Sequence, residues 1–465
     1  MKISVIGTGY VGLVSGVCMA EKGHSVTCVD VDEEKVKKIN NAISPIHERG
    51  LDELLKKNVN KTFTVTTNLR EAVMNTDLSI IAVGTPFNCD RIDLSSVKQA
   101  AREFGKVFKS KDSYHAIIVK STVVPGTTDD VILPIIEKTS EKKAGVDFGI
   151  GMNPEFLREG EAISDFMNPD RIVLGAIDEQ TLAVMEKAYE VFKGVDIVKT
   201  NNRTAEMIKY TANSLLATMI SFSNEIGNLC ANVNNVDVTE VMQGVLKDRR
   251  LSPLLPNGER IKPGFISYLA AGCGFGGSCF PKDVKALIAY GKEKKQDMKL
   301  LESVININDN QPKQVLALLE KHYEDLSDLP VAILGLAFKP GTNDMRESPA
   351  IPVIKHLLNN GARVKAYDPV AQQEAQKIFG NKNIEYPAAL AECVEGAKVV
   401  IVLTAWDEFK EKVPQLMENI DPQPLFIDGR RMFSKHEFEK YEGIGLHQCA
   451  KRKKVPSMVP VSQKI

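Results

Sequence analysis

Six residues near the amino terminus, Gly7-Thr8-Gly9-Tyr10-Val11-Gly12, leave this chain few folds to choose from. They follow an apolar run, Ile3 to Ile6, and precede Val11, Val14, Ser15 and Cys18 at helical spacing, after which Val26 to Val29 reads as a second strand. Strand, glycine turn, helix and strand make a βαβ unit of a parallel sheet. In such a unit the first two glycines permit a tight turn and close approach of a pyrophosphate, while the helix amino terminus faces its negative charge. Asp30 ends the second strand about twenty residues on, where a carboxylate accepts hydrogen bonds from adenosine ribose hydroxyls and repels a 2′-phosphate. The pattern predicts NAD as cofactor, bound by Gly7, Gly9, Gly12 and Asp30. The same glycines argue against reading Lys2 to Ala20 as a signal peptide.

At 465 residues the chain has room for two or three domains. Lys+Arg 59 against Asp+Glu 60 leaves no basic excess, which speaks against nucleic acid as a partner. No apolar run reaches the roughly 18 residues of a membrane helix, so no membrane association is expected and the cytoplasm is the expected location. Cysteines 18, 28, 89, 230, 273, 279, 393 and 449 are scattered without a CxxC pair. They read as free, mostly buried thiols of a reducing compartment, and no bound metal is expected.

Further strand-like runs, Leu78 to Val83, His115 to Val119 and Phe148 to Met152, extend the first unit into a mostly parallel sheet with helices on both faces, ending near residue 200. From Arg203 to Asn232 only Gly227 interrupts a pattern in which Ile208, Leu215, Leu216, Met219, Ile220, Ile226 and Leu229 recur at helical spacing, which predicts one long helix. A loop-rich segment with Pro253, Pro256, Pro263 and Gly272 to Gly277 follows. A second strand-helix-strand order begins at Val331 to Leu336 and Val364 to Tyr367, with later strands at Val399 to Leu403 and Leu425 to Asp428. The fold class is therefore α/β, with two Rossmann-like parallel-sheet domains joined by a long central helix. The expected divisions are 1–200, 201–320, 321–445 and a basic, solvated tail, 446–465, that carries Lys451 to Lys454.

Candidate chemistry lies outside the glycine turn. Cys279 stands in Gly274-Phe-Gly-Gly-Ser-Cys-Phe-Pro-Lys-Asp283, where Lys282 and Asp283 follow within one turn. A neighbouring cation lowers a thiol pKa and makes it nucleophilic, although an inert buried thiol is the commoner case. Lys209 and Asn213, at i and i+4, share one face of the long helix. The second sheet carries Gly335 but then Leu336, Ala337 and Phe338, so no second dinucleotide turn is expected. Lys339 and Arg346 lie near the carboxyl end of that strand, where they suit a phosphorylated ligand or form a solvated pair.

These residues fall into a set of motifs: GTGYVG at 7–12, Asn153-Pro-Glu-Phe-Leu-Arg-Glu-Gly160, Lys209-Tyr-Thr-Ala-Asn213, GFGGSCFPKD at 274–283 and LGLAFKPGTNDMRES at 334–348. Together, in order over about residues 1 to 440, they resemble the UDP-glucose/GDP-mannose dehydrogenase family on its UDP-glucose branch. The resemblance implies an N-terminal NAD domain, a central helical dimerisation domain and a C-terminal UDP-binding domain. It implies oxidation of the C6 alcohol of UDP-glucose to UDP-glucuronate, with two NAD and one water, in a homodimer or higher homo-oligomer. By that resemblance Cys279 traps the aldehyde as a thiohemiacetal that becomes a thioester, Lys209 and Asn213 hold the C6 oxygen, Asp283 and Thr122 position water, and Glu155 is the base for hydrolysis. NAD contacts would add Tyr10, Val11, Lys35, Thr85, Thr122, Glu159, Lys282 and Arg346. Substrate contacts would be Phe156, Leu157, Glu159, Lys209, Asn213, Arg260, Tyr268, Phe275, Gly276, Lys339 and Arg430.

The pattern departs in three places. Gly84 precedes Thr85-Pro86 where proline is usual, Ile46-His-Glu-Arg49 replaces Ile-Tyr-Glu-Pro, and Pro256-Asn-Gly-Glu259 lengthens the stretch before Cys279. The family donates an arginine from this stretch across the dimer, and Arg250 and Arg260 both qualify. Three alternative readings stay open: a dehydrogenase of GDP-mannose or a UDP-N-acetylhexosamine, a two-electron hydroxy-acid dehydrogenase that needs no thiol, and a non-catalytic binding protein.

Overall fold

The computed structural model describes residues 1–88 and 90–447, so Cys89, Cys449 and the run Lys451 to Lys454 lie outside the described residues. Strands β1 (Lys2–Ile6), β2 (Ser25–Val29), β3 (Phe63–Thr66), β4 (Leu78–Ile81), β5 (His115–Val119), β6 (Phe148–Met152), β7 (Arg171–Ala176) and β8 (Asp196–Thr200) form the first sheet. They lie in the order β8-β7-β6-β5-β4-β1-β2-β3. Every neighbouring pair is parallel except β6 with β7, where Gly151 faces Ala176. Helices cover both faces, so the central strands are apolar on both sides. Ile3 and Val5 pack with Leu13, Val14 and Val17, while Ile6, Ile81 and Val119 pack with Val97, Ala101 and Phe104. Strands β3, β7 and β8 are not marked in the sequence. Of the two edge strands, β3 and β8, the latter has no buried residue, and an edge strand of that kind lacks a continuous apolar run.

The second sheet contains β9 (Pro330–Leu334), β10 (Arg363–Tyr367), β11 (Ile384–Glu385), β12 (Val399–Val402), β13 (Leu425–Asp428) and β14 (Tyr441–Gly443). Its order is β11-β10-β9-β12-β13-β14, parallel throughout.

Between the sheets runs the helix Asn202–Cys230, capped by Asn201, whose side chain accepts a hydrogen bond from the Thr204 amide at 2.9 Å. Its buried face is not the apolar stripe predicted from sequence. Small and polar residues, among them Glu206, Lys209, Asn213, Ser221 and Asn224, face inward, whereas Leu215, Phe222 and Leu229 are 54%, 49% and 63% exposed. Against the buried face pack the helices Phe280–Glu293 and Lys299–Glu320. The Asn224 Oδ1 accepts from the Gly272 amide at 2.8 Å, which anchors the glycine loop that leads to Cys279. Among the described residues all cysteines are free, Cys279 is half-buried and the others are buried. None of the described helices is long and apolar enough to cross a membrane.

Candidate active site

At the carboxyl ends of β1, β2, β4 and β5 opens a cleft of about 1730 Å³, closed on its far side by Ala286, Ala289 and Tyr290 of the helix Phe280–Glu293. Gly7 has φ +97°, and a Cβ there would stand 2.8 Å from the Ala82 carbonyl oxygen, so the turn demands glycine. Gly9 precedes the helix Tyr10–Glu21 without a side-chain cap and has open space where a Cβ would be. Free amide donors and room at a helix start suit a pyrophosphate. Asp30 accepts hydrogen bonds from the Thr8 amide at 2.9 Å and from Lys35 Nζ at 3.3 Å, and both Asp30 and Lys35 line the cleft. Burial pushes the Asp30 carboxyl up, but the Thr8 and Asp32 hydrogen bonds and Lys35 outweigh it and hold it below the usual range. An ionised carboxylate at this position fits a free 2′-hydroxyl. The residues present therefore fit NAD.

The other expected cofactor residues sit in a second layer. Gly12 packs against the Gly7 carbonyl, where a Cβ would collide, and Val11 packs into the core beneath the turn. Tyr10 bonds Glu48, and its hydroxyl accepts from the Gly160 amide at 2.7 Å, so it braces the 153–160 loop instead of lining the cleft. Thr85 Oγ1 donates to the Thr122 carbonyl at 2.7 Å, joining the loops that follow β4 and β5.

A second cavity of about 620 Å³ adjoins the first sheet, the long helix and the second sheet. Cys279 lines it from the start of the helix Phe280–Glu293, together with Glu155, Phe156, Leu157, Glu159, Lys209, Asn213, Tyr268, Gly276 and Lys339. Residues from four distant segments thus meet in one cavity. Lys209 Nζ lies 2.9 Å from Glu155 Oε1, with both side chains no more than 5% exposed. Asn213 Nδ2 donates to Asp283 Oδ2 at 2.6 Å, and the Leu157 amide donates to Glu155 at 2.7 Å. Ser278 Oγ donates to Glu159 at 3.1 Å.

Burial pushes the Cys279 thiol up to about 11; the Glu155 and Asp283 carboxylates add to that rise, and Lys209 opposes it. The sequence expectation that Lys282 lowers this pKa is corrected: Lys282 Nζ lies 2.5 Å from Asp283 Oδ1 and is neutralised there. Burial would raise Glu155, but the Lys209 charge and hydrogen bond hold it below the usual carboxylate range. Burial would lower Lys209, but the charges of Glu155, Cys279 and Asp283 keep it raised. Glu159 is pushed up to about 7 by burial and by Asp344.

Several expected contacts are placed elsewhere. Arg346 pairs with Asp344 at 2.8 Å and with Glu159 at 3.3 Å. Arg430 donates to the carbonyls of Leu403, Gly274 and Phe338 at 2.7, 2.8 and 3.2 Å, tying the cysteine loop to the second sheet. Arg260 donates to the carbonyls of Lys247 and Ser252, and Arg250 is exposed and paired with Asp248. Phe275 is buried, its amide bound to Asn308 at 2.7 Å and its ring 6.0 Å from that of Phe280. Conversely, Lys120, Asn153, Tyr189 and Arg171 line the cavity and were not singled out from sequence. A signal for Lys120 existed: it directly follows a strand of the first sheet, at the end where open α/β sheets bind ligands.

A mostly parallel sheet and a second, fully parallel one, a dinucleotide turn at the carboxyl ends of the first, and an adjoining polar cavity with a thiol define a Rossmann-type, NAD-dependent dehydrogenase. Family models match residues 1–193 (UDP-glucose/GDP-mannose dehydrogenase family, NAD binding domain), 203–310 (central domain) and 332–435 (UDP binding domain). The chain belongs to the UDP-glucose/GDP-mannose dehydrogenase family. It is 41% identical over 454 residues to UDP-glucose 6-dehydrogenase AglM of Haloferax volcanii, covering 96% of this chain and 100% of that protein. It is also 41% identical over 450 residues to UDP-glucose 6-dehydrogenase TuaD of Bacillus subtilis, covering 96% and 93%. A solved UDP-glucose dehydrogenase from the hyperthermophilic archaeon Pyrobaculum islandicum superposes with a TM-score of 0.85 at 36% identity, over 95% of this chain and 97% of that one.

Proposed function

We propose that this protein oxidises the C6 alcohol of UDP-glucose to the carboxylate of UDP-glucuronate, reducing two NAD per sugar. The observation that carries this reading is the meeting of Cys279, the Lys209–Glu155 pair and Asn213, itself bonded to Asp283 behind it, in one cavity beside the dinucleotide cleft. A two-electron alcohol dehydrogenase needs no thiol, whereas a four-electron oxidation gains from a nucleophile that keeps the aldehyde bound.

In the proposed sequence Lys209 and Asn213 hold the C6 oxygen, and its proton leaves through the Lys209–Glu155 pair. Gly7, Gly9, Asp30 and Lys35 would hold NAD, which when bound would supply the hydride acceptor for the two successive oxidations at C6. Between them Cys279 adds through sulfur to the aldehyde carbon while its thiol proton passes, by way of Lys209, to the former carbonyl oxygen, and the second oxidation turns the resulting thiohemiacetal into a thioester. Glu155 then takes a proton from water, the hydroxyl adds to the thioester carbon, and the carbon–sulfur bond breaks with the thiolate leaving. Lys339 faces the diphosphate, and Phe156, Leu157 and Tyr268 enclose the sugar nucleotide.

The exposed residues Leu215, Phe222 and Leu229, seven apart on one helix face, support a homodimer through the central helix. Light scattering should give twice the chain mass, and Phe222→Asp should give monomer. Dependence on NAD and a sugar nucleotide points to the cytoplasm. The reaction is tested by the ratio of NADH formed to limiting UDP-glucose. A ratio of about two, lost in Cys279→Ser, is expected from four-electron chemistry. A ratio near one, or turnover unchanged without the thiol, overturns the thioester route; no turnover directs the assay to GDP-mannose and UDP-N-acetylhexosamines.

A further inference from the structure

Glu155 is the one proposed base in the cavity, and the charges of two ammonium groups act on it. Lys209 forms the ion pair already described. Lys120, 4% exposed at the carboxyl end of β5, lines the same cavity and acts on both Glu155 and Lys209 through its charge. Among the described residues its ammonium has a single hydrogen-bond partner, Asn153 Oδ1 at 2.7 Å. That oxygen also accepts from Tyr189, while Asn153 Nδ2 donates to the Val173 carbonyl at 2.8 Å, so the amide is fixed from three sides. The Phe166 ring, 5.9 Å from Lys120 Nζ, closes the remaining side.

This arrangement bears on a difficulty in the oxidation proposed above, on which the inference rests. When Lys209 turns toward a developing negative charge on the C6 oxygen, Glu155 loses its ion-pair partner. A buried carboxylate without a partner takes up a proton and ceases to be a base. We propose that Lys120 is a positioning residue for this reaction: its ammonium, held by Asn153, keeps Glu155 ionised while Lys209 is engaged with the substrate oxygen. Burial, opposed by the Glu155 charge, pushes Lys120 down to about 8, so it remains charged at neutral pH. The groups whose charge reaches it are Glu155 on the 153–160 loop and Lys209 on the long helix; Cys279 and Asp283, at the start of the helix Phe280–Glu293, act on Lys209.

The test compares kcat against pH for the wild type, Lys120→Gln and Lys120→Arg, with saturating NAD and UDP-glucose. Gln removes the charge while keeping an N–H donor on a slightly shorter side chain. Its acid limb should move up by about one pH unit, so that kcat falls roughly tenfold on the acid side and recovers at higher pH. Arg should stay near the wild-type limb, and KM for UDP-glucose should change less than kcat. A uniform loss of kcat with an unmoved acid limb marks a merely structural role and overturns the proposal, as do profiles that coincide with the wild type. If Lys120→Gln does not accumulate folded, Asn153→Asp, which sets a competing carboxylate on the ammonium, must shift the limb in the same direction. A wild type that does not oxidise UDP-glucose refutes the reading of function instead. In that case thermal midpoints of Lys120→Gln, Glu155→Gln and the double variant still decide: additivity overturns the coupling, and a departure of about 2 °C or more supports it.

Discussion

The Lys209–Glu155 pair offers a perturbation whose size follows from its surroundings. The nitrogen and oxygen are 2.9 Å apart with the side chains 4% and 5% exposed, so neither charge has bulk water as an alternative partner. Removing one member of such a pair costs about 3–5 kcal/mol, because the other is left buried and uncompensated. For Lys209→Met the lower end, about 3 kcal/mol, is expected, since Glu155 keeps the Leu157 amide at 2.7 Å and the charge of Lys120. The penalty depends on pH with a definite sign. Without Lys209 the folded-state pKa of Glu155 rises above its unfolded value, so the folded variant binds the proton first and the deficit shrinks as pH falls. Lys209→Met/Glu155→Gln removes both members of the pair and leaves only the Lys120 ammonium without its carboxylate, so it should recover part of the loss. Urea unfolding at pH 8 and pH 5.5 for the wild type, the two single variants and the double variant measures all of this. Both single variants lose activity, so stability is read separately from catalysis. A Lys209→Met deficit below about 1 kcal/mol, or a double variant no more stable than Lys209→Met, would refute the argument.

Three further outcomes follow from other sites. With its thiol near 11, Cys279 in the ligand-free protein should react slowly with iodoacetamide at pH 7 and about tenfold faster per pH unit above it; Glu155→Gln, which removes a carboxylate that raises this pKa, should bring the profile down, and an unchanged profile would contradict the proposed field. Asp30→Ala should raise KM for NAD by roughly 10- to 150-fold, the equivalent of about 1.5–3 kcal/mol of charged hydrogen bonds, and admit NADP, because Lys35 then faces the 2′-phosphate without a competing carboxylate. His115, buried between Ser79 and the Thr76 carbonyl, is pushed down to about 3 by burial and then by Lys111. Its folded pKa lies below the unfolded value, so stability is whole above about pH 6.5 and falls by about 2.7 kcal/mol from this group by pH 4.5; His115→Asn should remove that slope, and an unaltered slope would contradict it.

Much of this organisation is legible in the residues themselves. The glycine turn with its flanking strands and Asp30 gives the first sheet and the cofactor cleft, because each step is local: a strand, a turn that only glycine permits at Gly7, a helix start. The long helix is legible too, but its facing is not. Periodicity marks Leu215 and Leu229 as a stripe without saying what covers it, and in the single chain the buried stripe is the polar one that carries Lys209 and Asn213. The same limit applies to Lys282 and Arg430: each looks like a ligand contact in its motif, yet one is paired with Asp283 and the other spends its donors on backbone carbonyls.

What the sequence by itself determined is the α/β class, the dinucleotide turn, the nucleophile candidate and the family pattern, all of which reside in short stretches of chain. Tertiary structure alone decided that Glu155, Lys209, Cys279 and Lys120, from four separate segments, share one cavity. The thiol pKa, the ionisation of Glu155 and the part of Lys120 are consequences of that meeting. Charges act over a few ångströms of poorly solvated space, and sequence separation carries no information about such distances.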